Sequence, residues 1–268
     1  MVGVNAMNKA PVMQEWPTTH EAAGGVKSAR RTLELLELLA DAPRPLSQAE
    51  LQRALGMPKS SLHQLLRTLV DAGWVETDER GASYGVGLRA LRAGASYLDR
   101  DPVARVAGSV LATLRHELDE TVHLARLDGA EVVYLVSLES LHHLRVISRI
   151  GRRLPAHATA LGKALLAERA DAEADALLPA KLVRLTSATV TTRAELFAEL
   201  ADTRVRGWAF EREQNTIGLA CYATTILRRA GYAISCSVPT ARLGPPHTEE
   251  IVTALARAAA DLGRACSV

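Results

Sequence analysis

The chain has 268 residues, 48% hydrophobic and 23% charged, with a formal net charge of +2. That composition excludes a disordered or low-complexity chain and leaves room for two domains, while the small net charge excludes a generally basic, nucleic-acid-coating surface, so any DNA-binding face must be local. No apolar run reaches the roughly 18 residues of a membrane span, no signal-peptide core opens the chain, and Cys221, Cys236 and Cys266 form no CxxC; a cytoplasmic protein with reduced thiols is expected.

Residues 1–25 are polar, with Pro11, Pro17 and Gly24-Gly25, and read as a disordered leader. From Val26 to Ala40 the spacing of Ala29, Leu33, Leu36 and Ala40, widened by Leu35 and Leu39, predicts a first packed helix ending before Pro43. The next stretch, Leu46 to Trp74, predicts two short helices at a sharp turn. Ser47 and Glu50 have capping-box spacing, Leu46 and Leu51 staple spacing, and Gly56 stands where a left-handed residue ends a helix. Pro58 suits the first turn of the second helix, whose inner face is Leu62, Leu65, Leu66, Leu69 and Val70. Its opposite face collects Ser60, His63, Gln64 and Arg67, flanked by Lys59, Ser61 and Thr68, side chains suited to base edges and phosphates. A polar outer face is also the ordinary surface of any helical domain, and the segment after the second helix distinguishes the two. Trp74 to Gly87 predicts a β-hairpin with Arg80 at its tip beside Asp78 and Glu79, and helix-turn-helix plus hairpin is a winged helix, a DNA-binding unit.

Leu88, Leu91, Ala95 and Leu98 lie on one side of a linker helix over 88–101. Asp101 and Pro102 then open a helix with Val103, Val106, Val110, Leu114 and Leu118 inward, beginning a second domain over 102–268. Strands are expected at Thr121–Leu127 and Glu131–Ser137, joined at Asp128-Gly129 by a type I′ turn, and at Leu144–Ile150. A Pro-containing turn leads into a helix from about Ala158. Helices follow at Ala170–Ala180 and Thr192–Arg206, the latter with Thr192 and Glu195 as a capping box and Gly207 as its stop. Strands at Trp208–Glu213, Ile217–Leu227 and Tyr232–Pro239 and a closing helix at Thr248–Cys266 complete an α+β domain, an antiparallel sheet flanked by helices.

Four stretches in this order, Leu46 to Leu69, Gly73-Trp74-Val75 with Tyr84 to Gly87, Leu154 to Ala167 and Phe210 to Ala223, resemble the IclR family of bacterial transcriptional regulators from about Val26 to the C-terminus. Trp74, where a smaller aromatic is usual, and the long leader are departures. The resemblance implies a winged helix over 26–87, the linker helix, a GAF-like effector domain, and a homodimer or dimer of dimers on a palindromic operator in double-stranded DNA. It further implies a small-molecule site with Thr159, Ala160 and Leu161 at one end and Glu211, Cys221, Ser235 and Ser237 along the rest. Free amides at a helix start suit a carboxylate, and Ser235 and Ser237 alternate with Cys236 on one strand face. A carboxylate at Glu211 favours a hydroxy-, oxo- or aromatic acid over a plain fatty acid, with Leu141, Leu144, Val146 and Leu219 offering room for a ring. No cofactor and no bound metal are expected.

Two other readings fit the same residues. One is a metal- or redox-responsive regulator using Cys221 with His157, the His142-His143 pair, or a Cys221–Cys236 disulfide. The other is a thiol enzyme built from Cys221, His157 and Glu211, for which no nucleophile elbow or glycine-rich anion loop is present.

Overall fold

The structure, a computed structural model, describes residues 25–146, 148–226 and 229–266. The expected leader, Gly25 apart, and Arg228 of the last hairpin lie outside the described residues. The chain divides into two compact units, one up to Ser96 and one from Tyr97.

In the first unit, α1 (Lys27–Asp41), α2 (Gln48–Leu55) and α3 (Lys59–Asp71) pack around Leu35, Leu39, Leu51, Leu62, Leu66, Leu69 and Val75. The α2 start is a full capping box: the Ser47 hydroxyl accepts from the Glu50 amide at 3.3 Å and the Glu50 carboxylate accepts from the Ser47 amide at 2.8 Å. Gly56, at φ +58°, ends the helix in the left-handed region. The hairpin forms as β2 (Val75–Thr77) and β3 (Ser83–Val86), but Leu46–Ser47 adds a further strand, β1, against β3 that spacing alone did not reveal. The Asp78 carboxylate accepts from the amides of Ala82 at 2.7 Å and Ser83 at 3.3 Å, tying the turn together. In α1 the stripe expected from spacing is corrected: Leu35 and Leu39 face the core, whereas Ala29, Leu33 and Ala40 are exposed. The helix carries two apolar stripes, and only one is covered within the unit.

Helix α4 (Leu88–Arg100) spans the boundary between the units, has no buried residue, and leaves Leu88 71% and Leu91 67% exposed. The second unit is a six-stranded antiparallel sheet in the order β6-β5-β4-β9-β8-β7. Its strands are β4 (Thr121–Asp128), β5 (Glu131–Leu138), β6 (Arg153–Pro155), β7 (Ala209–Arg212), β8 (Leu219–Thr225) and β9 (Tyr232–Pro239). One sheet face, with Val122, Leu124, Tyr222, Ile234, Cys236 and Val238, packs under α5 (Pro102–Leu118) and α9 (Pro245–Ala265). The other face, with Ala125, Tyr134, Ala209, Ala223 and Ala233, packs under α6 (Ala160–Ala167) and α8 (Arg193–Arg206). The short α7 (Asp171–Leu177) adds Ala174 and Leu177 to the same core. Small side chains on this second face let α6 approach closely.

Four expectations change. The third strand is Arg153–Pro155 rather than Leu144–Ile150, whose described residues form no strand and leave Leu144 and Ile150 exposed. The β4–β5 turn has positive φ only at Gly129 (+59°), not at Ala130, which is the sign pattern of type II′. In α5 the buried stripe is Val103, Ala107, Leu111 and Leu114, with Val106, Val110 and Leu118 only partly covered. At α8 the Thr192 hydroxyl accepts from the Glu195 amide at 3.3 Å, but the Glu195 carboxylate bonds the hydroxyl instead of the Thr192 amide, so the box is half formed.

Candidate DNA interface and effector site

With Leu62, Leu66 and Leu69 fixed in the core, helical periodicity leaves Lys59, Ser60, Ser61, His63, Gln64, Arg67 and Thr68 exposed along α3. Arg80 is exposed at the hairpin tip. Several cations near this face are already engaged: Arg44 pairs with Glu50 at 2.6 Å, and Arg31 donates to the Leu55 carbonyl at 2.7 Å. Lys59 and Arg53 have no carboxylate partner among the described residues, and the Arg67–Asp71 contact is a loose 3.8 Å pair on the surface. Such a pair costs little to exchange for a phosphate or a base edge.

The other site is built where α6 starts. The chain leaves β6 through a 3₁₀ turn at Ala156–Ala158, and Thr159 caps α6, its hydroxyl accepting from the Gly162 amide at 3.0 Å. The Lys163 amide reaches the Thr159 carbonyl at 3.0 Å. The amides of Ala160 and Leu161, in residues 1% and 2% exposed, have no acceptor among the described residues. His157 ties this turn down through Nε2, 3.0 Å from the Val183 carbonyl.

Across the sheet, Glu211, Cys221, Ser237 and Thr121 are successive register partners on β7, β8, β9 and β4. They therefore share the face under α6, as do Ser235 and Ser237. Glu211 accepts from the Gln214 amide at 2.8 Å; burial raises its carboxyl above the usual range, opposed by that bond and by the Lys163 charge. Lys163, fully buried, donates to Gln214 Oε1 at 2.6 Å and pairs with Glu199. Glu211 is thus drawn into a network with Lys163 through Gln214. Cys221 Sγ shares a hydrogen bond with Ser237 Oγ at 3.2 Å, and burial together with Glu211 pushes the thiol well above its ordinary range. A thiol held in that form is a poor nucleophile.

The Cys221–Cys236 disulfide weighed from the sequence is overturned: Cys236 lies in the core under α5 and α9, Cys221 on the opposite face, and all three cysteines are free. His142 and His143 stand in bends, not on a strand, and His142 Nε2 lies 3.3 Å from Asp119. Leu141 and Leu144 are 75% and 56% exposed and give no apolar wall to the site.

Sequence reasoning missed His123, Tyr134, Ser137 and Arg152. His123 and Ser137 are register partners on β4 and β5, His123 is fully buried, and its ring stacks on Tyr134 with centroids 4.5 Å apart. The signal was a histidine between two apolar neighbours, Val122 and Leu124, on a strand.

The IclR helix-turn-helix domain model matches residues 28–79, and the model of the bacterial transcriptional regulator IclR C-terminal region matches residues 95–264. The chain belongs to the IclR family of bacterial transcriptional regulators. It is 33% identical to the regulator XynR of Escherichia coli over 90% of this chain and 97% of that protein. To the transcriptional repressor IclR of the same organism it is 32% identical over 91% of each. Among solved structures, the IclR of Thermotoga maritima superposes with a TM-score of 0.68 at 26% identity, over 90% of this chain and 99% of that one. An IclR homolog from Microbacterium hydrocarbonoxydans, complexed with 4-hydroxybenzoate, shares the fold with a TM-score of 0.73 at 23% identity, over 89% and 99%. As an IclR-family member the chain is a DNA-binding transcriptional regulator, and its described helices include none long and apolar enough to cross a membrane.

Proposed function

We propose that this IclR-family protein is a cytoplasmic regulator, without enzymatic activity of its own, whose operator binding responds to a small organic acid held in the unit from Tyr97 onward. The observation that carries the reading is the pair of amides of the buried residues Ala160 and Leu161 at the start of α6, which have no acceptor among the described residues. Buried N–H groups without acceptors are costly, and at a helix N-terminus they and the helix dipole favour an anion. Thr159 shapes that end as the helix cap, while Glu211, Cys221, Ser235 and Ser237 line the sheet side. A bound 4-hydroxybenzoate in a family relative supports an acid as the ligand type.

In the first unit, α3 enters the major groove and Ser60, Ser61, His63, Gln64 and Arg67 address bases and backbone, with Lys59 and Arg80 on phosphates. The uncovered apolar residues Val26, Leu33, Leu88 and Leu91 support a homodimer, on which a dimer of dimers can be built. A two-fold dimer would read a palindromic operator with half-sites about 34 Å apart, or a multiple of it. Acid binding then shifts the population of arrangements that differ in operator affinity.

Thermal unfolding across a panel of small aliphatic and aromatic acids tests the acid site, because a ligand of the folded state raises the midpoint. A hit that also changes operator affinity supports the reading. A panel with no hit, or a hit that leaves DNA binding untouched, overturns it.

A further inference from the structure

Ser137, His123 and Ser235 are consecutive register partners on β5, β4 and β9. Their side chains form one polar row across the sheet face that lies under α6. His123 is fully buried and Ser235 is 1% exposed. Both ring nitrogens of His123, Ser137 Oγ and Ser235 Oγ are buried and have no hydrogen-bond partner among the described residues. Neighbouring polar side chains on the same face are satisfied: Ser237 by Cys221, Thr121 by the Val146 carbonyl at 3.2 Å. Unpaired buried polar atoms are few in native domains, because each gives up its bonds to water, so a contiguous row of them needs a partner.

The row is also held in place. A register irregularity at Leu124/Ala125 puts Tyr134 on the same face as Ser137, three residues away, and the Tyr134 ring braces His123 by stacking. Arg152, whose carbonyl accepts from the Tyr134 amide at 3.0 Å, lies beside them. Burial, helped by the Arg152 charge, holds His123 down to a pKa of about 3. At neutral pH the imidazole is therefore uncharged and offers one donor and one acceptor, and each serine hydroxyl can do both. That pattern matches an uncharged oxygen, a hydroxyl or oxo group, and has nothing to offer a hydrocarbon.

We propose that the Ser137–His123–Ser235 row determines effector specificity, and that the effector is an acid bearing a hydroxyl or oxo oxygen which this row binds. The inference rests on the acid-sensing reading above. A site built to hydrogen-bond an oxygen discriminates strongly against the analogue lacking it, since the protein's own polar groups are then left unpaired.

Calorimetric titration of the full chain with matched probes tests it: propionate against lactate and pyruvate, and benzoate against 4-hydroxybenzoate. In at least one set the oxygenated acid is expected to bind about tenfold tighter or more than its hydrocarbon partner. His123→Phe, which keeps a stacked ring, and Ser235→Ala should each cut that ratio to about threefold or less by weakening the oxygenated acid. His123→Gln, which restores a donor and an acceptor, should recover part of it. Should His123→Phe fail to fold, Ser235→Ala and Ser137→Ala carry the comparison. Equal binding within each set, or a ratio that survives in the variants, overturns the row while leaving the acid site standing. No binding of any probe overturns both.

Discussion

Gly162 lies so close to the turn before it that a Cβ built there would stand 2.2 Å from both Cα and the carbonyl oxygen of Ala156. The glycine is required for the approach of α6 to its own leading turn, not for an unusual φ. That approach fixes the start of α6, where the amides of Ala160 and Leu161 lie, against the turn before it. Gly162→Ala must push the turn and the helix apart, at a cost of about 1–3 kcal/mol from overpacking. The unfolding midpoint should fall, and binding of any acid that stabilises the wild type should weaken. An unchanged midpoint in urea unfolding would show that the contact is not needed.

The burial of His123 predicts a pH dependence. With a folded-state pKa of about 3 and an ordinary value of 6.5, the unfolded chain takes up a proton in this window and the folded chain does not. Stability should therefore drop as pH falls from 6.5 towards 3, by up to about 1.4 kcal/mol per pH unit from this group. His123→Phe should lack that component. Comparing unfolding free energies between pH 6.5 and 5, above most carboxylate titrations, isolates it; parallel profiles for the two proteins would refute the assignment.

Arg67→Ala addresses the α3 face. Because the Arg67–Asp71 pair is exposed and loose, stability should stay within about 0.5 kcal/mol of wild type. Operator affinity should nevertheless fall. If Arg67 contacts a phosphate, the slope of log affinity against log salt should shrink by about one; if it reads a base edge, specificity at one position should relax. Fluorescence anisotropy at two salt concentrations, on operator and scrambled DNA, separates these outcomes. Unaltered operator binding would remove Arg67 from the interface.

Leu91→Glu and Leu33→Glu probe the uncovered apolar residues of α4 and α1. In a monomer both substitutions fall at positions 67% and 60% exposed and should cost little. In a homodimer that covers them, a buried carboxylate should weaken association, read as a shift toward monomer in sedimentation equilibrium. A wild type that sediments as a monomer, or variants with unchanged mass, would refute this surface as the interface.

Local signals made most of the winged helix legible. Ser47, Glu50, Gly56 and Pro58 act within a few residues of one another, and the apolar face of α3 follows from helical period alone, so its polar face is settled as well. The pairing of Leu46–Ser47 with Ser83–Tyr84 was hidden because two residues carry no periodicity. In α1, spacing detected the apolar residues but could not say which stripe meets the core.

The same division runs through the candidate effector site. The shared face of Ser235 and Ser237 follows from a strand's two-residue period, but Thr159, Ala160 and Leu161 are singled out only by the family resemblance: the local pattern starts the helix near Ala158, which belongs to the 3₁₀ turn before α6. That His123, Ser137 and Ser235 stand in one row does not follow from local pattern, since strands far apart in the chain become neighbours only when the sheet order β5-β4-β9 is set. Local pattern was enough for most of the elements, for the family and for the polar face of α3. Which polar groups end up buried without partners emerged from the folded chain alone, because burial and pairing depend on long-range contacts that no local pattern encodes.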